Sequence, residues 1–235
     1  MDATFEDLAS HCLSLLKIAP IDQRILIAVS GIPGSGKTTL GNAVLEKVNH
    51  KWNQVYNNSS RIAAFVPMDG FHLTRAELQA MPNSVEAFAR RGAPFTFDPN
   101  GLLALIRRLR EPISVDSRPI YAPSFDHAVK DPVQNDIKIL PSDRILIIEG
   151  NYLHLTDKPW DSIACLMDEL WFVRVERDIA RQRIIHRHLQ AGLASSETDA
   201  AKRADENDLP NGDYIIAHSL KPHRIIISIQ DDNFA

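Results

Sequence analysis

Gly31-Ile32-Pro33-Gly34-Ser35-Gly36-Lys37-Thr38 is the stretch that decides the fold, because its spacing of glycines, lysine and threonine is typical of a phosphate-binding loop. It follows the apolar run 25–29 and precedes a helical pattern. Glycines allow backbone N–H groups to turn toward an anion, and the positive end of the following helix attracts the same anion. An ordinary glycine turn is the alternative. The strand before the loop and the helix after it favour phosphate binding.

The side chains of this loop predict contacts to phosphate groups and to a metal ion. Lys37 can reach the β- and γ-phosphates, and the hydroxyl of Thr38 can hold Mg²⁺. The candidate nucleotide-binding residues are Gly31, Pro33, Gly34, Ser35, Gly36, Lys37, Thr38 and Thr39.

Composition limits the classes of function. The chain has 235 residues, of which 44% are hydrophobic and 24% charged, as in ordinary globular proteins. Its net charge of −4 argues against general nucleic-acid binding.

Cys12 and Cys165 lie in apolar patterns without metal-like spacing, which predicts two buried, reduced thiols and a reducing compartment. No signal peptide and no apolar run of about 20 residues is recognisable, so we expect a cytoplasmic protein without membrane contact. The sequence does not decide between a monomer and a homodimer.

Periodicity predicts an α/β protein with three layers, in which helices cover both faces of a mainly parallel five-stranded sheet. The predicted strands are 24–30, 61–66, 144–150, 169–175 and 224–229. The predicted helices are 3–17, 37–49, 84–91 and 99–109, a helical stretch from Asp178 to Gly192, and a turn at 207–212 leading into a further helical stretch. Residues 53–60 are expected to form a loop, and short β-like pieces at 113–115, 119–121 and 137–140 to form a small hairpin region over the substrate. We expect a single domain over 1–235, with an N-terminal helix at 1–20, a substrate-side insertion at 84–140 and an arginine-bearing lid at 178–205.

Two acidic residues follow predicted strands. Asp69 comes after the second strand and Glu149 ends the third. Ligands of open α/β sheets collect at the carboxyl ends of strands, so Asp69 is a candidate catalytic base and metal ligand, and Glu149 a candidate Mg²⁺ ligand together with Thr38. Alternatively, Asp69 is a turn residue or helix cap and Glu149 caps the next segment.

Four arginines are further candidates, two for binding the transferring phosphoryl group and two for binding the acceptor. Arg183 and Arg187 lie in the helical segment before a polar turn at 195–199, where a closing lid would bring them to a transferring phosphoryl group. A solvated helix face is the alternative for each. Arg90 and Arg91, at the end of the predicted helix 84–91, would favour an acidic or phosphorylated acceptor, unless they form only surface ion pairs.

The order of these features resembles the phosphoribulokinase/uridine kinase family of P-loop kinases. The motifs that carry the resemblance are the loop, Met68-Asp69-Gly70-Phe71-His72, Ile147-Ile148-Glu149-Gly150-Asn151-Tyr152 and the arginine-rich segment. Within the family the chain is most similar to uncharacterised fungal and bacterial kinase-like members with Asp-Gly-Phe-His, and next to bacterial-type pantothenate kinase. Asp69 matches the catalytic aspartate of the family and Glu149 its Mg²⁺-associated acid, and Arg183 and Arg187 resemble lid arginines. Gly-Phe-His replaces the Ser-Phe-Tyr usual in uridine kinases.

The resemblance implies transfer of the γ-phosphoryl group of ATP·Mg²⁺ to a hydroxyl of a small metabolite. Lys37, Asp69, Arg183 and Arg187 would be catalytic. The candidates for acceptor recognition are His72, Arg90, Arg91, Tyr121 and Tyr152. A GTPase switch is disfavoured because no [NT]-K-x-D segment is present. A nucleotide-binding regulatory or scaffold protein that has lost transfer is the other alternative.

Overall fold

A computed structural model describes residues 2–57 and 60–229. Its strands are β1 (Ile25–Gly31), β2 (Ala63–Pro67), β3 (Ile120–Asp126), β4 (Asp131–Ile139), β5 (Ile145–Glu149), β6 (Glu169–Arg174) and β7 (Arg224–Ile227). Its α-helices are α1 (Asp2–Ile18), α2 (Lys37–Tyr56), α3 (Arg75–Ala80), α4 (Ser84–Ala89), α5 (Pro99–Leu109), α6 (Trp160–Ala164), α7 (Arg177–Gln190), α8 (Glu197–Arg203) and α9 (Leu209–His218). Short 3₁₀ turns occupy Met68–Phe71 and Pro94–Thr96, and a π-helical segment occupies Ala204–Asp208.

The main sheet has five parallel strands in the order β2-β5-β1-β6-β7. In its register Glu149 is the partner of both Val29 on β1 and Pro67 on β2. The carboxyl ends of these three strands therefore lie side by side. The predicted α/β architecture with a parallel five-stranded sheet is confirmed.

Both faces of the sheet are buried, which explains why its strands lack hydrophobic alternation. On one face α1 and α2 pack against it, with Phe5, Leu8 and Val44 in one cluster with Trp171. On the other face α5 and α6 supply a second cluster that includes Leu102, Ile106, Tyr152 and Trp160. The sheet is thus the middle of three layers.

A second, antiparallel sheet is the hairpin β3-β4. It contacts the 3₁₀ turn that carries Asp69, and it does so closely: a Cβ added at Gly70 would lie 2.2 Å from the carbonyl oxygen of Pro123. Glycine is therefore required in the Asp-Gly-Phe-His motif for the hairpin to approach the turn. The hairpin region predicted from the prolines is present, although residues 113–115 form no strand.

Several local predictions were wrong. Helix α2 continues to Tyr56, where a loop was predicted. The rings of Trp52 and Tyr56 are in contact, with centroids 4.0 Å apart, and the left-handed residue Asn57 ends the helix. Residues 58–59 of that predicted loop lie outside the described residues. Cys12 is buried as predicted, but Cys165 is exposed, since it follows the short helix α6 at the surface.

The region after α7 is more helical than predicted. Ser196 caps α8 by accepting a hydrogen bond from the N–H of Asp199, within the segment predicted as a polar turn. The turn predicted at 207–212 is instead the end of the π segment and the start of α9. Pro210 is tolerated there because it lies in the first turn of α9. Among the described residues, none of the helices is long and apolar enough to cross a membrane.

Candidate active site

The loop between β1 and α2 has the backbone shape that its glycines predicted. Gly34 and Gly36 have φ values of 76° and 86°, in the left-handed region that favours glycine. A Cβ at Gly34 would lie 2.6 Å from the carbonyl oxygen of Ala180, so the loop is packed against α7. Ser35 is buried, and its Oγ has no hydrogen-bond partner. A nucleotide's phosphate oxygen is the kind of group that would accept a hydrogen bond from it.

Lys37 and Glu149 are a buried pair of opposite charge beneath this loop. Lys37 Nζ donates a hydrogen bond to the carbonyl oxygen of Ile32 at 3.1 Å. Burial lowers the pKa of Lys37, while the nearby Glu149 opposes that shift. Burial likewise raises the pKa of Glu149 to about 7, against the effects of Lys37 and of a hydrogen bond from Thr38. Both side chains thus lie in a low-dielectric site, where a bound cation or anion would interact strongly with their charges.

Asp69 lies in the 3₁₀ turn directly after β2, where it is partly exposed. Its charge contributes to the pKa shifts of both Lys37 and Glu149, so the three groups are electrostatic neighbours. The backbone N–H of His72 donates to the carbonyl oxygen of Asp69 at 3.1 Å and closes the turn. The two acids predicted from separate strands therefore converge on the phosphate-binding loop.

The donor set fits Mg²⁺ as it is held beside phosphates. Within the described ranges, no group of three or more His, Cys, Asp or Glu side chains forms a complete metal site. Mg²⁺ at nucleotide sites needs only one or two carboxylates, because phosphates and water supply the other ligands. The acid Glu149, its hydrogen-bonded neighbour Thr38 and the carboxylate of Asp69 provide such a partial set.

Three of the four arginines of α7, Arg181, Arg183 and Arg187, have different surroundings. Arg183 donates to the loop carbonyl of Gly34 at 3.3 Å and to Ser228 Oγ at 2.9 Å. Arg187 is 58% exposed, has a long contact of 3.6 Å with Asp208, and affects the pKa values of the Lys37–Glu149 pair. Arg181, whose match to the family pattern is loose, forms an exposed ion pair with Asp205 instead. Of these, Arg187 has a largely exposed guanidinium whose charge acts on the Lys37–Glu149 pair.

His72 lies in an aromatic pocket beside Asp69. Its ring is 4.0 Å from that of Phe97 and 4.7 Å from that of Phe125, centroid to centroid. Its Nδ1 is 2.8 Å from the carbonyl oxygen of Asp69. Burial lowers the pKa of His72, although the carboxylate of Asp69 opposes the shift. The guanidinium of Arg91, in the turn after α4, lies over the ring of Phe125 on β3. This turn and the β3-β4 hairpin therefore meet on the side of the site where His72 lies.

The remaining acceptor candidates differ in position. Tyr152 is buried, and its hydroxyl donates to the carbonyl oxygen of Gly92. Arg90, in the same turn as Gly92, contacts α9 and the π segment before it. Tyr121 is 43% exposed and, within the part of the chain that the structure describes, has no hydrogen bond or ring contact to another site residue. His72, Arg91 and Tyr152 are thus hydrogen-bonded within or to the segments that follow Asp69 and Glu149, and Arg90 lies in the same turn as Arg91.

Sequence reasoning missed the residues of the π segment and α9 that face this side. Asn207 and Asn211 accept hydrogen bonds from Arg90, and Asp208 contacts Arg187. Their sequence, Asn207-Asp208-Leu209-Pro210-Asn211, is typical of a turn, and nothing in it indicates a buried polar face.

Comparison with known proteins identifies the family. The profile of the phosphoribulokinase/uridine kinase family matches residues 26–198. This chain belongs to that family.

Relatives extend the match over nearly the whole chain. A protein of Schizosaccharomyces pombe named “Putative uridine kinase C227.14” is 40% identical over 224 residues, which cover 95% of this chain and 90% of that protein. A crystal structure from Silicibacter sp. TM1040, described as a “putative fructose transport system kinase”, superposes with a TM-score of 0.77 at 31% identity, covering 93% of this chain and 98% of the other. The structure of YFH7 from Saccharomyces cerevisiae gives a TM-score of 0.84 at 24% identity, with coverage of 97% and 99%, and so shows the same fold. The family and the P-loop kinase fold expected from the sequence are confirmed, while the roles of individual residues stay predictions.

Proposed function

We propose that this member of the P-loop kinases transfers the γ-phosphoryl group of ATP to a hydroxyl of a small metabolite, with Mg²⁺ as cofactor. The observation that carries the proposal is the convergence of Lys37, Asp69 and Glu149, which affect one another's charge at the end of the phosphate-binding loop. A nucleotide-binding protein that has lost phosphoryl transfer would not need an acid to accept a proton from an acceptor. The presence of Asp69 in the turn after β2 therefore supports the kinase over the scaffold.

Each residue of the site has a proposed role. Thr38, Glu149 and Asp69 would hold Mg²⁺, which when bound neutralises charge on the β- and γ-phosphates. Asp69 orients the acceptor hydroxyl and accepts its proton. Lys37 and Arg187 stabilise the charge on the equatorial oxygens of the transferring group, since positioning and electrostatics supply most of the acceleration in phosphoryl transfer.

Arg183 has a proposed role at the loop itself. Because it donates to the carbonyl oxygen of Gly34, it fixes the loop while its charge adds to the field at the phosphates. We further propose that residues 178–205 act as a lid and that residues 84–140 form the acceptor side of a single kinase domain.

The acceptor is proposed to bind between Asp69 and the side formed by His72, Arg90, Arg91 and Tyr152. The names of the two similar proteins refer to different metabolites, a nucleoside in one and a sugar in the other, so they do not define one acceptor for this chain. We propose a soluble small-molecule acceptor, with no nucleic-acid or membrane partner, and a cytoplasmic location.

A screen of acceptor-dependent ADP release tests this proposal. ATP and MgCl₂ are supplied with uridine, fructose, D-glycerate, pantothenate and related hydroxy compounds, and ADP is measured with and without each acceptor. A rate that rises at least tenfold with one acceptor is the expected result. Tight ATP binding without acceptor-dependent release from any compound would contradict the kinase and support the nucleotide-binding scaffold.

A further inference from the structure

The turn that contains Arg90, Arg91 and Gly92 is held from three directions. Arg91 Nη2 donates to the carbonyl oxygen of Leu73 at 2.9 Å, which joins the turn to the segment after Asp69. The hydroxyl of Tyr152 donates to the carbonyl oxygen of Gly92, which joins it to the segment after Glu149. Asn207 Nδ2 donates to the carbonyl oxygen of Arg91 at 3.1 Å. The turn therefore has a fixed position relative to both acids and to the lid side.

The guanidinium of Arg90 is held in this turn by neutral groups. Its Nε donates to Asn207 Oδ1 at 3.0 Å and its Nη2 to Asn211 Oδ1 at 2.8 Å. Both asparagines are buried, with exposed fractions of 5% and 3%. The two asparagine side chains accept hydrogen bonds from Arg90, but as neutral groups they do not neutralise its charge.

Arg91 and Arg187 have carboxylate partners, and Arg90 differs from them. Arg91 pairs with Asp131 at 3.3 Å, and Arg187 contacts Asp208 at 3.6 Å. Among the described residues, no carboxylate lies within 4.0 Å of a nitrogen of Arg90. A partly buried cation is normally paired, because removing it from water costs free energy that a counterion offsets. Two buried amides therefore hold a cation that, among the described residues, has no direct carboxylate partner.

The position of Arg90 relates it to the acceptor. The charges of Arg90 and of Asp69 both affect the pKa of Tyr152, whose ring lies between the turn and the end of β5. Since hydrogen bonds from Arg91 to Leu73 and from Tyr152 to Gly92 join this turn to the segments after Asp69 and Glu149, we infer that an acceptor whose hydroxyl meets Asp69 extends toward Arg90. Nη1 of Arg90 has no hydrogen bond among the described residues and is not buried, which leaves one edge of the guanidinium for a ligand.

We propose that Arg90 binds an oxyanion of the acceptor, a carboxylate or a phosphate monoester, and that Asn207 and Asn211 are positioning residues that orient the guanidinium for it. This inference rests on the proposed kinase function and specifies the acceptor as an anionic hydroxy compound. Charge-assisted hydrogen bonds to a carboxylate or phosphate are the strong bonds that a fixed guanidinium makes best.

Matched pairs of acceptors test the charge requirement. Glycerate is compared with glycerol, and ribose 5-phosphate with ribose, in the assay of acceptor-dependent ADP release. We expect the anionic member of the productive pair to have a kcat/KM at least tenfold higher, and the productive pair tells a carboxylate from a phosphate acceptor. A neutral member that is phosphorylated as well as its anionic partner would overturn the proposal.

Variants connect that preference to Arg90. In Arg90→Gln the KM for the anionic acceptor should rise at least tenfold, with kcat and the KM for ATP changed less than twofold. Asn207→Asp keeps the shape but supplies an internal counterion to Arg90, and it should raise the same KM. Arg107→Gln, an exposed arginine on α5, is the control and should leave the kinetics unchanged. An unchanged KM for the anionic acceptor in both site variants would overturn the proposal.

A binding measurement separates this proposal from the kinase function. With the loop saturated by a non-hydrolysable ATP analogue and Mg²⁺, inorganic phosphate is titrated by calorimetry into the wild type and Arg90→Gln. At least tenfold weaker phosphate binding by the variant supports the oxyanion site, even if no compound is phosphorylated and the kinase function fails. Equal phosphate binding by the two proteins would overturn the site, whatever the activity.

Discussion

At the scale of single residues, the site depends on charges that are buried before any ligand binds. Lys37 and Glu149 are each less than one-tenth exposed. Burial lowers the pKa of Lys37 and raises the pKa of Glu149, which in both cases favours the neutral form. Each also favours the charged form of the other. A metal ion beside Glu149 and a phosphate beside Lys37 would complete the neutralisation that this pair begins, which fits a site built for a metal-bound nucleotide.

His154 is a buried titratable residue with a purely structural environment. Its side chain is fully buried, its Nδ1 has no hydrogen-bond partner, and its Nε2 is 3.4 Å from the carbonyl oxygen of Ala28. Burial lowers its pKa to about 4 from an ordinary value of 6.5. The folded protein therefore keeps this imidazole neutral at pH values where the unfolded chain binds a proton.

The sign of the pH dependence follows from that difference. Above pH 6.5 His154 is neutral in both states, and its contribution to stability is constant. As the pH falls from 6.5 toward 4, only the unfolded chain gains the proton, so the free energy of unfolding decreases. Between pH 7.5 and 5 the wild type should lose about 2 kcal/mol more than His154→Leu, as measured by urea unfolding. Ile18→Ala, at an exposed and non-titratable position on α1, should keep the wild-type pH dependence. Equal losses in wild type and His154→Leu would contradict the assignment.

At the scale of elements, the phosphate-binding loop and α7 form one packed unit. Gly34 approaches the carbonyl oxygen of Ala180, and Arg183 on the same helix donates to the carbonyl of Gly34. The loop shape therefore depends on the helix that carries Arg183 and Arg187.

Gly34→Ala tests that packing. The added methyl group would meet Ala180 at 2.6 Å in a left-handed backbone conformation, so the loop must shift. We expect the dissociation constant for ATP, measured with a fluorescent analogue, to rise about tenfold or more, corresponding to about 1.4 kcal/mol. Gly192→Ala is a matched control, because Gly192 also has a positive φ of 59° but no atom within 4 Å of its Cβ position. The interpretation would be contradicted if both variants bound ATP alike.

The sequence predicted those parts of the fold and site whose signals are local. The loop, the strand runs and the acids at strand ends are each readable within a few residues, and the parallel topology then brings Asp69 and Glu149 together. The contact of Arg90 with Asn207 spans 117 residues, so no local pattern could reveal it. The π segment and the extension of α2 to Tyr56 depend on tertiary packing, which overrides weak local propensity. Tyr121 is 43% exposed, and its role in acceptor recognition stays a prediction.

At the scale of the whole molecule, α1 supports the sheet on the face away from α5. Its residues Phe5, Leu8 and Cys12 are buried in the cluster that also contains β1 and α2 side chains. Glu6 forms ion pairs of 2.7 Å with both Lys47 and Lys51 on α2. The helix thus stabilises the layer from which the loop emerges without contributing a residue to the site.

Leu8→Ala tests this structural role. Removing a side chain that is 3% exposed should lower the free energy of unfolding by about 2 to 4 kcal/mol, from lost burial and the cavity that remains. The kcat at a temperature where the variant stays folded should match that of the wild type. Ile18→Ala, at a position on α1 that is 82% exposed, should change stability by less than about 0.5 kcal/mol. A loss of kcat in folded Leu8→Ala would show that α1 acts on catalysis as well.

The convergence of residues from three strands on one ATP is most directly tested by Asp69→Asn. This change keeps the size of the side chain and removes its ability to accept the acceptor proton. The account predicts that kcat for acceptor-dependent ADP release falls about 10³-fold while the dissociation constant for ATP stays within about threefold of the wild type. Asp136→Asn, an exposed aspartate on the hairpin, serves as the control and should keep full activity. Wild-type kcat in Asp69→Asn would contradict the account.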